Sequence, residues 1–116
     1  MIKHFLLFNA PPQLSQESLA ELLLAARHLP QGIEEPRNFQ IGAAFAAVTE
    51  PRWRFCMSME FEDEAALQRY TDHPLHLAFR DLLRERIEDR QVQTVRCCDS
   101  AEELCALARA AQHEAV

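Results

Sequence analysis

Trp53-Arg54-Phe55-Cys56-Met57-Ser58-Met59-Glu60-Phe61 switches between large apolar and polar or small residues at every step. Successive side chains of a strand point to opposite faces. Trp53, Phe55, Met57, Met59 and Phe61 therefore share one face, and Arg54, Cys56, Ser58 and Glu60 share the other. This is the clearest strand in the chain. Directly after it come Glu62-Asp63-Glu64, acidic residues that favour a helix N-terminus through its dipole. A short helix is expected to run to about Tyr70. Pro74 suits the first turn of a further helix, with Asp72 or His73 near its cap. Leu75, Phe79, Leu82, Leu83 and Ile87 mark the buried stripe of that helix.

Toward the N-terminus, Ile2–Phe8 is an apolar run stopped by Pro11-Pro12, which reads as a strand. A helix opens at Ser15 or Gln16. It carries Leu19, Leu22, Leu23, Ala26 and Leu29 at helical spacing and is expected to end at Pro30-Gln31-Gly32. Residues 38–48 read as a second strand in which Gly42 suggests a bulge or a close backbone approach. Thr49-Glu50-Pro51-Arg52 is the expected turn. Beyond the second helical region, residues 91–98 form a last strand, and Ser100-Ala101-Glu102-Glu103 is a capping box that starts a C-terminal helix carrying Leu104, Leu107, Ala108 and Ala111.

The order is β-α-β-β-α-β plus a terminal helix, the ferredoxin-like α+β arrangement with an antiparallel four-stranded sheet. Helices on one side leave the other sheet face open. The first strand places Phe5 and Leu7 on one face and Leu6 and Phe8 on the other. An open face carrying apolar residues calls for a partner sheet, and a second copy of the chain supplies one. The expected assembly is a homodimer in which two sheets close into an α/β barrel.

Composition narrows the partners. The chain has 116 residues, the size of one domain, with 48% hydrophobic and 26% charged residues and a net charge of −6. Charges fall in mixed-sign runs such as Arg84-Glu85-Arg86-Ile87-Glu88-Asp89-Arg90, with no basic stripe interleaved with aromatics, so nucleic acid is not an expected partner. No apolar stretch approaches the roughly 20 residues that span a bilayer. The N-terminal apolar run lacks the length and cleavage site of a signal peptide, and a cytoplasmic location is expected. Cys56, Cys97, Cys98 and Cys105 have no CxxC spacing and are read as reduced, small apolar residues.

Against this background the chain resembles the Dabb family, the stress-responsive dimeric α/β-barrel domains. The resemblance rests on Ile2-Lys3-His4-Phe5-Leu6-Leu7-Phe8, on Leu29-Pro30-Gln31-Gly32-Ile33, on Gly42, and above all on Tyr70-Thr71-Asp72-His73-Pro74-Leu75-His76. It covers about residues 1–97. The C-terminal helix goes beyond the family pattern and suits an edge cover or an extension of the dimer contact. Most family members have no assigned reaction. A few plant members are polyketide cyclases that close a linear poly-β-keto chain by aldol condensation. By that resemblance His76 would be the general base and Tyr70 the group that polarises a carbonyl. Those cyclases also carry a third-strand histidine, and the corresponding position here is Phe55.

The residues themselves allow the same chemistry. Tyr70 and His76 flank a helix break, and both could reach a cavity between helix and sheet. A neutral histidine there can take a proton from a carbon between two carbonyls, and a tyrosine hydroxyl can donate to the enolate. His4, Phe55, His73 and Phe79 are the expected ligand-binding residues. Neither a metal nor a cofactor is expected: His73 and His76 would need a third metal ligand that the sequence does not place. The same residues also have structural readings, with His73 as a cap, Tyr70 as a buried ring bonded to backbone and His76 as a satisfied histidine. Three functions follow. The chain is a Dabb-type homodimer of unassigned biochemical role, structural or stress-associated and able to bind a small apolar molecule, or a cofactor-free cyclase or lyase using His76 and Tyr70, or a cofactor-independent monooxygenase of the antibiotic-biosynthesis type.

Overall fold

The computed structural model describes residues 1–45 and 52–114. The elements are β1 (Ile2–Phe8), α1 (Gln16–Gly32), β2 (Arg37–Ala43), β3 (Phe55–Phe61), α2 (Glu64–Asp72), α3 (Pro74–Arg86), β4 (Arg90–Arg96) and α4 (Ala101–Glu114). The expected β2 residues 46–48 and the turn at 49–51 lie outside the described residues. The four strands form one antiparallel sheet in the order β2-β3-β1-β4, the ferredoxin-like arrangement.

Polar side chains set the helix starts. The Ser15 hydroxyl accepts from the Ser18 N–H at 3.1 Å at the head of α1. The Asp63 carboxylate accepts from the Ala66 N–H at 2.8 Å at the head of α2. Each satisfies a donor that the first helical turn leaves unpaired. Pro30 lies inside α1, only in its last turn, and the helix runs on to Gly32. The bulge sits between Arg37 and Gln40, not at Gly42. Asn38 takes it up with φ 52°, a left-handed conformation that asparagine tolerates better than most side chains.

The alternation read in β3 holds through the packing. Met57, Met59 and Phe61 point under the helices and are buried with Ile2, Leu6 and Phe8 of β1. Leu22, Ala26 and Leu29 of α1, Ala66 and Tyr70 of α2, and Phe79 and Leu83 of α3 close the core from above. The opposite sheet face carries Lys3, Phe5 and Leu7 of β1, with Phe5 paired to Ser58 on one side and Gln93 on the other. Phe5 and Leu7 are only half-buried there. A Lys3–Glu60 ion pair at 3.5 Å crosses the same face.

Two features reach beyond that core. Cys97 and Cys98 lie just past the end of β4, and all four cysteines are free. The C-terminal helix does not cover a sheet edge: its side chains are exposed as far as Ala111, with Leu104 and Leu107 more than half exposed. Its cap pairs differ slightly from the expected box. Ser100 Oγ accepts from the Glu103 N–H at 3.2 Å, while the Glu103 carboxylate accepts from the Asp99 N–H.

Candidate functional site

The His73-Pro74 step builds the site. Proline has no N–H and pushes the preceding residue out of the helical region. His73 is accordingly extended, with φ −67° and ψ 137°, and it ends α2 and caps α3 at once. Its Nδ1 accepts from the Leu75 N–H at 3.1 Å. The chain turns sharply at this point. Tyr70 in the last turn of α2 and His76 in the first turn of α3 consequently face each other, their rings 4.5 Å apart.

Below them the sheet contributes His4. Its ring lies 6.3 Å from Tyr70 and 6.4 Å from Phe61, edge-on to both, and its Nδ1 pairs with the Thr94 hydroxyl at 2.8 Å. Register explains what lies next to it. His4 is opposite Thr94 and Leu6 opposite Val92, yet no helix packs substantially over β4. Leu6 is buried, while its neighbour Val92 is 54% exposed. The inner face of β4 thus opens into a cavity of about 380 Å³ between α3 and the sheet. Ligand pockets run from about 300 to 1,000 Å³. His4, Leu6, Met57, Tyr70, His76, Phe79, Leu83 and Val92 line it, together with Thr71, Arg80, Arg84 and Arg90.

The polar groups of this cavity are distinctly tuned. His76 Nδ1 sits 2.9 Å from the Thr71 carbonyl oxygen, which can only accept. The hydrogen is therefore on Nδ1, and Nε2 keeps its lone pair. Burial depresses the His76 pKa most, the Thr71 bond raises it, and the Arg80 charge lowers it further. His4 is also depressed, by burial first and by His76 second. Both rings thus favour the neutral form. Tyr70 is 1% exposed, and burial alone pushes its hydroxyl far above the ordinary value, so it stays a phenol and a donor. That hydroxyl has no hydrogen-bond partner among the described residues, and its pKa shows no hydrogen-bond contribution.

Of the residues singled out in the sequence, His4, Tyr70, His76 and Phe79 converge on this cavity. His73 and Phe55 do not line it. His73 is engaged as the α3 cap. Phe55 pairs with Phe8 at the far end of β1 and stacks on its ring at 5.1 Å, partly buried against the core. The sequence reading missed Arg80, Arg84 and Arg90. The first two follow His76 at intervals of four, one helical face, a signal hidden in a mixed-charge run.

Comparison with known proteins agrees with this architecture. The family model described as Stress responsive A/B Barrel Domain, or Dabb, matches residues 2–97. A Dabb family protein with a ferredoxin-like fold from Mesorhizobium loti is 26% identical, covering 84% of this chain and 96% of its own, with a TM-score of 0.71. A dimeric ferredoxin-like protein of unknown function from Thermobifida fusca is 23% identical, with coverages of 83% and 90% and a TM-score of 0.72. The hydroxynitrile lyase of Passiflora edulis shares the fold at 17% identity, with coverages of 85% and 94% and a TM-score of 0.78. No curated protein matches. With its family pattern running through nearly the whole ferredoxin-like core, from β1 to the end of β4, the chain belongs to the Dabb family of stress-responsive A/B barrel domains.

Proposed function

We propose that the protein is a cytoplasmic homodimer, paired through the open sheet face, that holds a small, largely apolar ligand in the cavity beneath α3 of each protomer. The observation that carries this reading is the cavity itself. Leu6, Met57, Phe79, Leu83 and Val92 supply apolar walls, and His4, Tyr70 and His76 supply a few convergent polar groups. The half-exposed Phe5 and Leu7 support pairing through the sheet, as does the dimeric description of related structures. The exposed Leu104 and Leu107 of α4 are available to extend that contact.

A second reading makes this cavity a cofactor-free cyclase site, and the His76 tautomer favours it. With Nδ1–H held by the Thr71 carbonyl, Nε2 is a neutral base at ordinary pH. It would take a proton from the carbon between two ketones of a bound chain. The resulting enolate would attack a second carbonyl of the same chain, forming a carbon–carbon bond. The Tyr70 hydroxyl would donate to the oxyanion that develops. The proton held on Nε2 would return to the new alkoxide, restoring the base.

Light scattering on Phe5→Glu, which buries a carboxylate at the centre of the sheet face, tests the dimer: a folded monomer is expected, and an unchanged dimer refutes pairing through this face. Linear β-polyketides incubated with wild type and His76→Ala test the cyclase. Cyclised product formed by wild type and lost in the variant supports it, and equal rates in both refute it.

A further inference from the structure

We infer that the ligand of this cavity is anionic, an amphipathic molecule whose acidic oxygens are taken by Arg80, Arg84 and Arg90. The inference rests on the cavity-binding reading above and narrows its ligand class. Three arginines and two histidines line the cavity, and no aspartate or glutamate does. This occurs in a chain whose net charge is −6. The local sign is opposite to that of the whole molecule, which gives the cavity an attraction for anions that composition alone would not suggest.

The arginines are also poorly satisfied from within. Arg80 Nε is sealed from solvent and has no hydrogen-bond partner, although a buried N–H without a partner is costly. Its only ion pair among the described residues is a 3.3 Å contact from another nitrogen to Asp81, its own chain neighbour. Arg84 makes no ion pair among the described residues. Arg90 donates to the Ile87 carbonyl at 2.6 Å and forms no ion pair among the described residues. A carboxylate or phosphate accepts from guanidinium groups through paired, charge-assisted bonds.

The placement orders the ligand along α3. His76, Arg80 and Arg84 recur every four residues, so Arg80 lies about 6 Å and Arg84 about 12 Å along the axis from His76. An acyl chain with its acidic end among the arginines would lay its body on Phe79, Leu83 and Val92 and bring carbons several bonds away to Tyr70 and His76. The arginines thereby set which end of a chain reaches the base. Carboxylate and phosphate share this chemistry, and the experiment separates them.

Octanoate, octyl phosphate and 1-octanol share one apolar tail and differ in the head, so their dissociation constants by titration calorimetry at neutral pH isolate the head-group contribution. The expected result is at least one anion binding about tenfold or more tighter than 1-octanol, the head-group preference naming the oxyanion. The double variant Arg80→Gln/Arg84→Gln is expected to lose that preference, its affinities for the anions and for 1-octanol becoming equal within about twofold. Equal affinity for all three probes, or an anion preference that survives in the double variant, overturns the inference and leaves the apolar-cavity reading in place. Failure of every probe to bind overturns both.

Discussion

Replacing Tyr70 in two ways separates its structural role from its hydroxyl. The ring is 1% exposed and packs 5.0 Å from Phe61 and 4.5 Å from His76, so its removal in Tyr70→Ala leaves a void between α2, α3 and the sheet. Truncating a buried aromatic costs about 3–5 kcal/mol. At roughly 4 °C per kcal/mol for a chain of this size, the midpoint of thermal unfolding should fall by about 12–20 °C. Tyr70→Phe keeps the ring and removes only an oxygen that has no partner among the described residues. That oxygen is not among the sealed, unpartnered polar atoms, so its removal strands no partner, and the phenylalanine variant should unfold within about 1 kcal/mol of wild type. Thermal and urea unfolding followed by far-UV circular dichroism, at one fixed protein concentration because a dimer would couple stability to mass action, measure both. Destabilisation of Tyr70→Phe by more than about 1.5 kcal/mol would mean that the hydroxyl is committed to a structural bond. It would then not be free for a ligand, and the chemical role assigned to Tyr70 would fall with it.

Two further outcomes follow from the geometry. His4 and His76 both have pKa values below the ordinary 6.5, so just below that pH the folded protein binds fewer protons than the unfolded chain. Stability should therefore fall as pH drops from about 6.5 through the depressed values. A His76→Gln variant should show a shallower fall; an unchanged pH profile in that variant would refute the assignment. At Asn38, where φ is 52°, Asn38→Gly should leave the urea midpoint within about 1 kcal/mol of wild type and Asn38→Val should lower stability by about 1–2 kcal/mol. Equal tolerance of both would show that the bulge backbone is relaxed elsewhere.

The His73-Pro74 step and the period-two pattern of β3 were legible because each acts locally. A proline disfavours the helical region for the residue before it, and at His73, unlike at Leu29 in the last turn of α1, that preference breaks the helix and sets Tyr70 against His76. Alternation in Phe55–Phe61 likewise assigns faces without reference to any partner. Strand arrangement followed from the sequence of elements and the family from its motif residues, while the structure brings His4, Tyr70, His76 and Phe79 to one cavity. The bulge was misplaced to Gly42 because glycine permits a distortion without requiring one. Asn38 is the residue that takes the left-handed conformation.

What only tertiary structure decided concerns the space between elements. Periodicity says which way a side chain points, but not what stands opposite it. Phe55 belongs to the inner face as expected, yet its register opposite Phe8 puts it at the end of the sheet away from His4 and His76. The cavity exists because the helices pack over the other strands and leave β4 uncovered, a consequence of where three helices settle on four strands. Arg90 joins Arg80 and Arg84 there only because β4 returns beside β1. The sequence by itself determined the order of the strands and helices and the helix break between Tyr70 and His76, since short-range sterics and alternation govern them. The cavity and its positive lining required the packed fold, since they arise from surfaces that meet across long stretches of chain.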